Sequence, residues 1–165
     1  MNTSNNIRAF QQAMPTTITK QRLFTDITRR LAWGTDAGFY RKIPQLVIHP
    51  ANEEEISTLL KNANDTATPV TFRAAGTSLS GQAISDSVLI VTGKLWEKYK
   101  IHDNGETISL QPGIVGSRVN EILKPFDRIF SPDPASLNSA MVGGIIINNA
   151  SGKSCGTHAN SDKIL

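Results

Sequence analysis

The 165-residue sequence predicts an α+β fold, in which a small parallel β-α-β unit precedes the start of a mainly antiparallel α+β part. Two observations lead to this fold class. In the first half, two short apolar runs lie on either side of an amphipathic helical pattern within about thirty residues, as in a strand-helix-strand crossover. Farther along, apolar and polar residues alternate on both sides of an Asn-Gly pair, as in a β-hairpin.

A short helix is expected between the polar N-terminal lead at 1–22 and the first apolar run. In the segment LFTDITRRLAW, the apolar residues Leu23, Ile27 and Leu31 recur at the spacing of one helix face. Gly34 follows this pattern and would end the helix. We therefore expect an amphipathic helix that covers part of the core.

The next elements form the β-α-β unit. PQLVIHP at 44–50 is an apolar run bounded by prolines, which predicts a buried strand, and TPVTFR at 68–73 and SVLIVT at 87–92 predict two more. After the first strand, Asn52 and Glu55 have the spacing of a capping box, in which two side chains bond backbone N–H groups at the start of a helix. The helix would bury one apolar face, made of Ile56, Leu59, Leu60 and Ala63.

The remaining segments predict a hairpin followed by a helix. YKIHDNGETISLQP, at 99–112, alternates apolar and polar residues around Asn104 and Gly105, which is typical of a turn between antiparallel strands. GSRVNEILKPF predicts a helix that Pro125 ends. Its inward-facing residues would be Val119, Ile122 and Leu123. By periodicity alone, GGIIINNA at 143–150 predicts a strand.

Composition and charge exclude several classes of protein. The 17 basic and 14 acidic side chains give a net charge of +3 and are scattered along the chain, which argues against nucleic acid as a partner. Cys155 is the only cysteine, so no internal disulfide is possible. The N-terminus has no apolar signal-peptide core, and no run reaches the roughly 20 apolar residues of a membrane span. We expect a cytoplasmic location, with peripheral attachment to the inner face of the membrane as an option for the full-length protein.

The stretch RAAGTSLSGQA at 73–83 is the main candidate for a binding site. Gly76 and Gly81 have the spacing of a Walker-type phosphate loop, but Gln82 and Ala83 replace the Lys and the Ser or Thr that nucleotide hydrolysis requires. Backbone amides bind phosphate without that lysine, since each hydrogen bond to a charged oxygen contributes roughly 1.5 to 3 kcal/mol. The loop therefore favours an uncleaved diphosphate, as in a dinucleotide. A glycine- and serine-rich surface turn is the alternative.

Three motifs, taken in order, connect this loop to a known family. They are VIHPANEEEI, PVTFRAAGTSLSGQA and SPDPASLNSAMVGGIIINNASG. From about Leu23 to Leu165, the sequence resembles the FAD-binding domain of vanillyl-alcohol-oxidase-type flavoenzymes, also called the FAD-linked oxidase or PCMH-type domain. Within that superfamily it resembles the D-lactate and D-2-hydroxyglutarate dehydrogenases. The segment at 29–50 is similar to the corresponding segment of long members with a C-terminal iron-sulfur module. The resemblance implies a PCMH-type fold with a first FAD-binding subdomain at 23–98 and the beginning of a second at 99–165.

The resemblance also implies which residues hold FAD. Those that match the family's pyrophosphate loop are Arg73, Ala74, Ala75, Gly76, Thr77, Ser78, Gly81 and Gln82, with alanines in place of two usual glycines. Those that match the segment beside the flavin are Pro132, Ala135 and Ser136. Those that match the stretches along the cofactor are Gly143, Gly144, Asn149, Ser151, Gly152 and Gly156, together with Ile164 at an apolar position beside the adenine. For GGIIINNA, the resemblance implies a short helix or an irregular run.

Non-covalent FAD is expected, because Thr77 fills the place where some relatives tether flavin through a histidine. His49 and His102 fall within strand patterns, which favours a structural or exposed role, and His158 lies next to the cofactor segment. Cys155 has no second cysteine to resolve an oxidation, which favours a packing role. No set of residues has the spacing of metal ligands.

The resemblance implies an oxidoreductase that transfers hydride from a D-2-hydroxy acid to FAD and passes electrons to an iron-sulfur centre, a quinone or another acceptor. In the family the FAD domain continues past the SDKIL segment, so we expect an N-terminal piece that is inactive alone, with its catalytic base beyond residue 165. Uncovered surface would favour self-association. One alternative is a flavin- or nucleotide-binding module without catalysis. Another is a phosphate-loop hydrolase, which Gln82 and Ala83 disfavour.

Overall fold

The computed structural model of the chain describes residues 3–153, 155–156 and 158–165. The strands of its first half are β1 (Leu23–Phe24), β2 (Leu46–Ile48), β3 (Val70–Arg73) and β4 (Val88–Val91). They form one sheet with the order β1-β2-β4-β3. Strand β1 pairs antiparallel with β2, whereas β2 and β3 both pair parallel with β4. The helices of this half are α1 (Thr3–Gln12), α2 (Ile27–Ala32) and α3 (Glu53–Asp65).

The predicted β-α-β unit is confirmed by β2, α3 and β3, and the third predicted strand, β4, lies between the two parallel strands. Because β4 is central, it is covered on both faces and all of its residues are buried. Val88 and Ile90 belong to one core cluster with Leu59 of α3, and Leu89 and Val91 belong to another. Burial on both faces explains why this strand is a continuous apolar run without alternation.

Helix α1 lies in the segment that the sequence marks as a polar lead. Its side chains Ile7 and Phe10 are buried in the same core cluster as Leu46 and Leu59. The side-chain amide of Asn62, in α3, donates a hydrogen bond to the Phe10 carbonyl at 2.7 Å. Two large apolar residues give little periodic signal, so only packing against the rest of the chain reveals this helix as part of the core.

Helix α2 is shorter than predicted and does not bury its apolar side. Leu23 pairs with β2 in the sheet and does not begin the helix. The helix starts after Asp26, whose carboxylate accepts a hydrogen bond from the Arg29 backbone N–H at 3.0 Å. Ile27 and Leu31 are 58% and 40% exposed, so the expectation of a helix that covers the core is wrong. Because Leu23 pairs in the sheet, it does not belong to the helix, and the Asp26 cap sets the residue at which the helix begins.

The capping box at the start of α3 forms in part. The Asn52 side chain accepts a hydrogen bond from the Glu55 backbone N–H at 2.9 Å, as predicted. The Glu55 carboxylate, however, accepts from the N–H of Ala51 at 2.8 Å and pairs with the Arg22 guanidinium at 2.6 and 2.8 Å. Arg22 also donates to the His49 carbonyl at 3.1 Å. This partly buried ion pair connects the N-terminal lead to the sheet and to α3.

The second half contains a hairpin and two helices. Its elements are β5 (Tyr99–His102), β6 (Thr107–Leu110), α4 (Gly116–Leu123) and α5 (Val142–Ile147). The antiparallel pairing of β5 with β6 confirms the predicted hairpin, and the turn holds Asp103, Asn104 and Gly105 at positive φ. Helix α4 buries the side chains predicted to face inward. The proposed subdomain boundary at 98 falls between β4 and β5.

Helix α5 agrees with the short helix that the resemblance implies, and the strand predicted from periodicity is wrong. An apolar run this short does not distinguish a strand from a buried helix. The helix joins α4 in a second core cluster, which contains Ile114, Val119, Leu123, Phe130, Ala140, Val142 and Ile145. None of the helices in the described residues is long and apolar enough to cross a membrane. The same residues contain no group of three His, Cys, Asp or Glu side chains that could hold a metal ion.

Acid should weaken the fold through Glu55. Hydrogen bonds from Arg22 lower the pKa of the Glu55 carboxyl from 4.5 to about 2. A carboxylate with a lowered pKa contributes its full stabilisation above about pH 4.5, and this contribution is lost as the pH falls from 4.5 to 2. We expect Glu55→Gln to lower the free energy of unfolding at pH 7 by roughly 1.5–3 kcal/mol, as for loss of a charge-assisted hydrogen bond. Urea denaturation at a series of pH values measures both effects.

Glu54→Gln is the matched control, because Glu54 is exposed on the same turn of α3. This variant should keep the stability profile of the parent protein across the acid range. Equal profiles for the two variants would contradict the role given to the Arg22–Glu55 pair.

Candidate functional site

A cleft of about 870 Å³ lies between the loop that follows β3 and helix α5. This volume is within the range of small-molecule sites. The predicted cofactor residues that line it are Arg73, Ala74, Ala75, Gly76, Thr77, Ser78, Gln82, Ser136, Gly143 and Gly144. The structure therefore brings the candidate phosphate loop and the double glycine to one place, although a hairpin and a helix separate them in sequence.

The loop offers a run of unpaired backbone donors. Gly76 and Gly81 have φ angles of +75° and +77°, a conformation that side chains with a Cβ rarely adopt, which explains both glycines. Within the described part of the chain, no hydrogen bond engages the N–H groups of residues 74–78, all of which are half-buried. Half-buried backbone donors without a protein partner bond to water or to a ligand. An anion in the cleft would supply acceptors for these groups.

The Arg73 side chain supports the loop from the protein side. Its Nη1 donates hydrogen bonds to the carbonyls of Thr35 at 2.6 Å and Ala83 at 3.2 Å, and the guanidinium stacks over the Trp33 ring at 5.1 Å. Burial lowers the pKa of this guanidinium, and the negative charge of Asp36 opposes the shift. Arg73 thus gives the site a positive charge, while its hydrogen bonds hold the two ends of the loop together.

Ser78 and Gln82 close the loop on itself. The Ser78 hydroxyl donates to Oε1 of Gln82, and Ser78 Oγ accepts a hydrogen bond from the Ser80 N–H at 3.2 Å. Gln82 occupies the position where a Walker-type loop has its lysine. Here its side chain stabilises the turn, which is compatible with holding a diphosphate and offers nothing for hydrolysis.

The two glycines of α5 are small for different reasons. A Cβ on Gly143 would lie 2.6 Å from Pro112, so this glycine is required by packing inside the protein. A Cβ on Gly144 would have no atom within 4 Å. A glycine inside a helix costs roughly 0.5–1 kcal/mol relative to alanine, and no described neighbour needs the space. Gly144 therefore keeps the cleft open on this side.

Sequence reasoning did not identify the apolar walls of the cleft. The unpredicted large apolar residues that line it are Ile56, Phe72, Leu79, Pro112, Met141, Ile145 and Ile147. Ile56 was expected in the core face of α3, where Leu59 and Ala63 are buried but Leu60 is 42% exposed. Phe72 and Ile147 are 44% and 84% exposed. Such walls suit a flat aromatic ring, and no sequence pattern marks them.

Other predicted residues lie outside this cleft. They are Gly81, Pro132, Ala135, Asn149, Ser151, Gly152, Gly156 and Ile164. Gly152 packs so tightly on the Asp133 backbone that a Cβ would overlap it, and the Asn149 side chain accepts a hydrogen bond from the Asp162 N–H at 3.0 Å. Ile164 lines a second, apolar cavity of about 930 Å³ beside the hairpin. In the structure Gly152 and Asn149 therefore make contacts within the protein.

The cysteine and the histidines take structural or exposed positions. Cys155 is buried, and its Sγ accepts a hydrogen bond from the Gly152 N–H at 3.0 Å. The His49 ring lies 4.9 Å from Phe24 and 5.2 Å from Trp33, and burial lowers its pKa. His158 is exposed. None of them lines the cleft described above.

The sequence profile of a family described as "FAD binding domain" matches residues 44–165. The chain belongs to this family. It is 32% identical over 118 residues to glycolate oxidase subunit GlcD of Escherichia coli (strain K12), covering 70% of the chain and 24% of that protein. It is 26% identical over 167 residues to D-2-hydroxyglutarate dehydrogenase of Pseudomonas putida, covering 98% of the chain and 17% of that protein. The chain thus spans a quarter or less of these relatives.

Solved structures show the same fold. An alkyldihydroxyacetonephosphate synthase structure superposes with a TM-score of 0.78 at 17% identity, covering 92% of this chain and 31% of that one. At this identity the likeness concerns the fold alone. The PCMH-type FAD-binding fold implied by the resemblance is therefore confirmed.

FAD fits the residues of the cleft. The unpaired amides of 74–78 suit its diphosphate, and the positive charge of Arg73 lies beneath them. Gly144 leaves room on the facing side, and the apolar walls suit the flat rings. Arg73 is the one charged side chain among the described residues that line the cleft.

Replacing the two loop glycines by alanine should have unequal effects. Both have positive φ, so a Cβ at either position costs about 1–2 kcal/mol. At Gly76 it would also overlap the Arg73 guanidinium, whereas at Gly81 it would only meet the Tyr40 ring at 3.5 Å. We expect Gly76→Ala to destabilise the protein by about 1 kcal/mol more than Gly81→Ala in urea denaturation.

Gly93→Ala is the control, because Gly93 has an ordinary φ and a Cβ there would lie 3.9 Å from Val91. It should leave stability within about 0.5 kcal/mol of the parent. Losses of equal size at Gly76 and Gly81 would show that Arg73 is not packed under the loop.

Proposed function

We propose that this chain is the flavin-holding part of an oxidoreductase that oxidises a D-2-hydroxy acid. The observation that carries the proposal is one cleft in which the unpaired amides of 74–78 and the open Gly144 are brought together. Residues 74–78 would hold the diphosphate of FAD, and the walls at Ile56, Phe72 and Ile147 would hold its rings. When bound, FAD supplies an acceptor for two electrons and a proton.

The described residues of the cleft would bind and orient FAD, but they offer no group for acid-base catalysis. Their lining includes no Asp, Glu, His, Lys or Cys side chain. Arg73 is already engaged with the carbonyls of Thr35 and Ala83. A general base must lie within hydrogen-bond reach of the proton it removes. We therefore assign the base and the group that binds the substrate carboxylate to parts of the whole protein other than these residues.

The substrate class rests on the relatives. Glycolate oxidase and D-2-hydroxyglutarate dehydrogenase are both named for 2-hydroxy acids, which supports a small 2-hydroxy acid as substrate. We propose the D enantiomer, a D-lactate-like or D-2-hydroxyglutarate-like acid. The FAD would be non-covalent, since Thr77 stands in the loop and no His or Cys lines the cleft in the described residues.

We propose that the electron acceptor is an iron-sulfur centre in the whole protein or a quinone. This part of the proposal rests on the family resemblance alone. We also propose a cytoplasmic location with peripheral attachment to the membrane, as expected from the sequence analysis, and cell fractionation tests it. Self-association of the chain is proposed because Phe39, Ile147 and Leu165 are 84–87% exposed. A compact monomer in sedimentation velocity would count against it.

A flavin- or nucleotide-binding module without catalysis is the second candidate. The absence of acid-base groups among the described lining residues favours it over a hydrolase. The two functions differ in one result. A flavoenzyme is reduced by its substrate, whereas a binding module keeps its flavin oxidised.

The purified whole protein should be yellow, and anaerobic addition of a D-2-hydroxy acid should bleach the flavin absorbance while the L enantiomer does not. Glycolate, D-lactate and D-2-hydroxyglutarate are the acids to compare. A folded protein without flavin would contradict the proposal. A yellow protein that no D-2-hydroxy acid bleaches would favour the non-catalytic module.

Gly144→Leu tests the cleft itself. The added side chain fills the space in which no protein atom lies within 4 Å, so we expect loss of bound FAD with unchanged or higher stability of the flavin-free protein. Glu121→Leu places a leucine on the exposed side of α4, away from the cleft, and should retain FAD. Absorbance and thermal unfolding measure the two quantities. Full flavin content in Gly144→Leu would show that FAD lies elsewhere.

A further inference from the structure

The segment 35–38 forms hydrogen bonds with the phosphate loop. In the sequence it lies before the matched family region, which begins at residue 44. The Ala37 N–H donates to two loop carbonyls, that of Gly76 at 3.1 Å and that of Ser78 at 3.0 Å. The Thr35 carbonyl accepts from the Arg73 guanidinium at 2.6 Å. This short segment therefore contacts the loop through hydrogen bonds along its length.

The Asp36 carboxylate holds the far end of the loop. Its Oδ2 accepts a hydrogen bond from the Gly81 N–H at 2.9 Å, and its Oδ1 accepts from the Gly38 N–H at 2.9 Å. The fit is close, since a Cβ on Gly38 would lie 2.6 Å from the Leu79 carbonyl oxygen. Both oxygens of Asp36 are thus used within the protein, and both bonds are of the strong, charge-assisted kind.

These bonds bear on how the loop can hold an anion. A peptide unit that keeps its carbonyl bonded to Ala37 cannot turn that oxygen into the cleft, where it would repel a diphosphate. Glycine adopts the positive φ angles of Gly76 and Gly81 without strain but adopts many other conformations as well, so contacts with the surrounding protein must restrain the loop. The contacts of 35–38 supply that restraint at the beginning, middle and end of the loop.

We propose that Asp36 is a positioning residue for the diphosphate of FAD, which acts through the Gly81 N–H and never contacts the cofactor. The proposal rests on the FAD site described above. It predicts the direction in which the affinity for FAD changes when Asp36 is replaced. A carboxylate near an anion site repels the anion, so if Asp36 acted only through its charge, its removal would strengthen binding. If it acts by positioning, its removal weakens binding.

The experiment compares Asp36→Asn and Asp36→Glu with Asp86→Asn. The first removes the charge and one acceptor, the second keeps the charge but moves it by one methylene, and the third removes an exposed charge that pairs with Lys42 at 3.0 Å. Dissociation constants for FAD and riboflavin are measured on the deflavinated whole protein, because riboflavin has the ring without the diphosphate. Thermal unfolding of the apoprotein is recorded in parallel.

We expect the dissociation constant for FAD to rise at least about tenfold in both Asp36 variants, as for loss of a charge-assisted hydrogen bond. In the Asp36 variants, the dissociation constant for riboflavin should change less than about twofold. In Asp86→Asn, the dissociation constants for both flavins should change less than about twofold. Unchanged or tighter FAD binding in Asp36→Asn, or equal losses for FAD and riboflavin, would overturn the proposal.

Amide hydrogen exchange in the unmodified protein without flavin provides a test that does not depend on binding. The Gly81 and Ala37 N–H groups should be protected, and Gly81 should lose protection in Asp36→Asn but not in Asp86→Asn. An unprotected Gly81 in the unmodified protein overturns the positioning role, even if neither variant folds. Protection at Gly81 in a protein that binds no FAD would instead reject the FAD site while leaving the contact with Asp36 intact.

Discussion

The proposed binding site depends on a constraint of the backbone: the loop after β3 keeps the N–H groups of residues 74–78 free, while the carbonyls of Gly76 and Ser78 accept hydrogen bonds from Ala37. An extended strand cannot do this, since its donors would be used by a neighbouring strand. The loop leaves the sheet at Arg73, turns at Gly76 and again at Gly81, and leaves the N–H groups of residues 74–78 without a hydrogen bond to any described residue. The parallel strands provide the rigid base, because β3 and β4 end together and release the loop at the edge of the sheet.

Residues before the matched family region complete this arrangement. Helix α1 fills the core with Ile7 and Phe10, and Arg22 ties the lead to Glu55. Trp33 lies under the Arg73 guanidinium, and Asp36 holds Gly81. The N-terminal segment therefore packs against the loop that we propose to hold FAD. Its contribution is positional, since its polar groups bond the loop and the sheet and leave the cleft to the loop backbone.

Identical residues serve different physical roles around the cleft. Gly143 and Gly152 are small because protein backbone or proline occupies the space beside them, whereas Gly144 faces open volume. Gly76 combines a left-handed φ with contact to Arg73. A motif match treats these glycines alike. Their surroundings separate those that build the walls from those that leave room for a ligand.

The sequence by itself determined the fold class, the family and the loop. The continuous apolar run of β4, the Asn52 cap and the spacing of Gly76 and Gly81 are local signals, because each reflects a backbone or burial requirement of neighbouring residues. Tertiary structure alone decided the position of α1, the pairing of Leu23 with β2 and the exposure of Ile27. It also decided the apolar walls of the cleft and the partnership of Asp36 with Gly81. These features arise from contacts between distant segments, and hydrophobic periodicity or capping patterns carry no information about which distant segments meet.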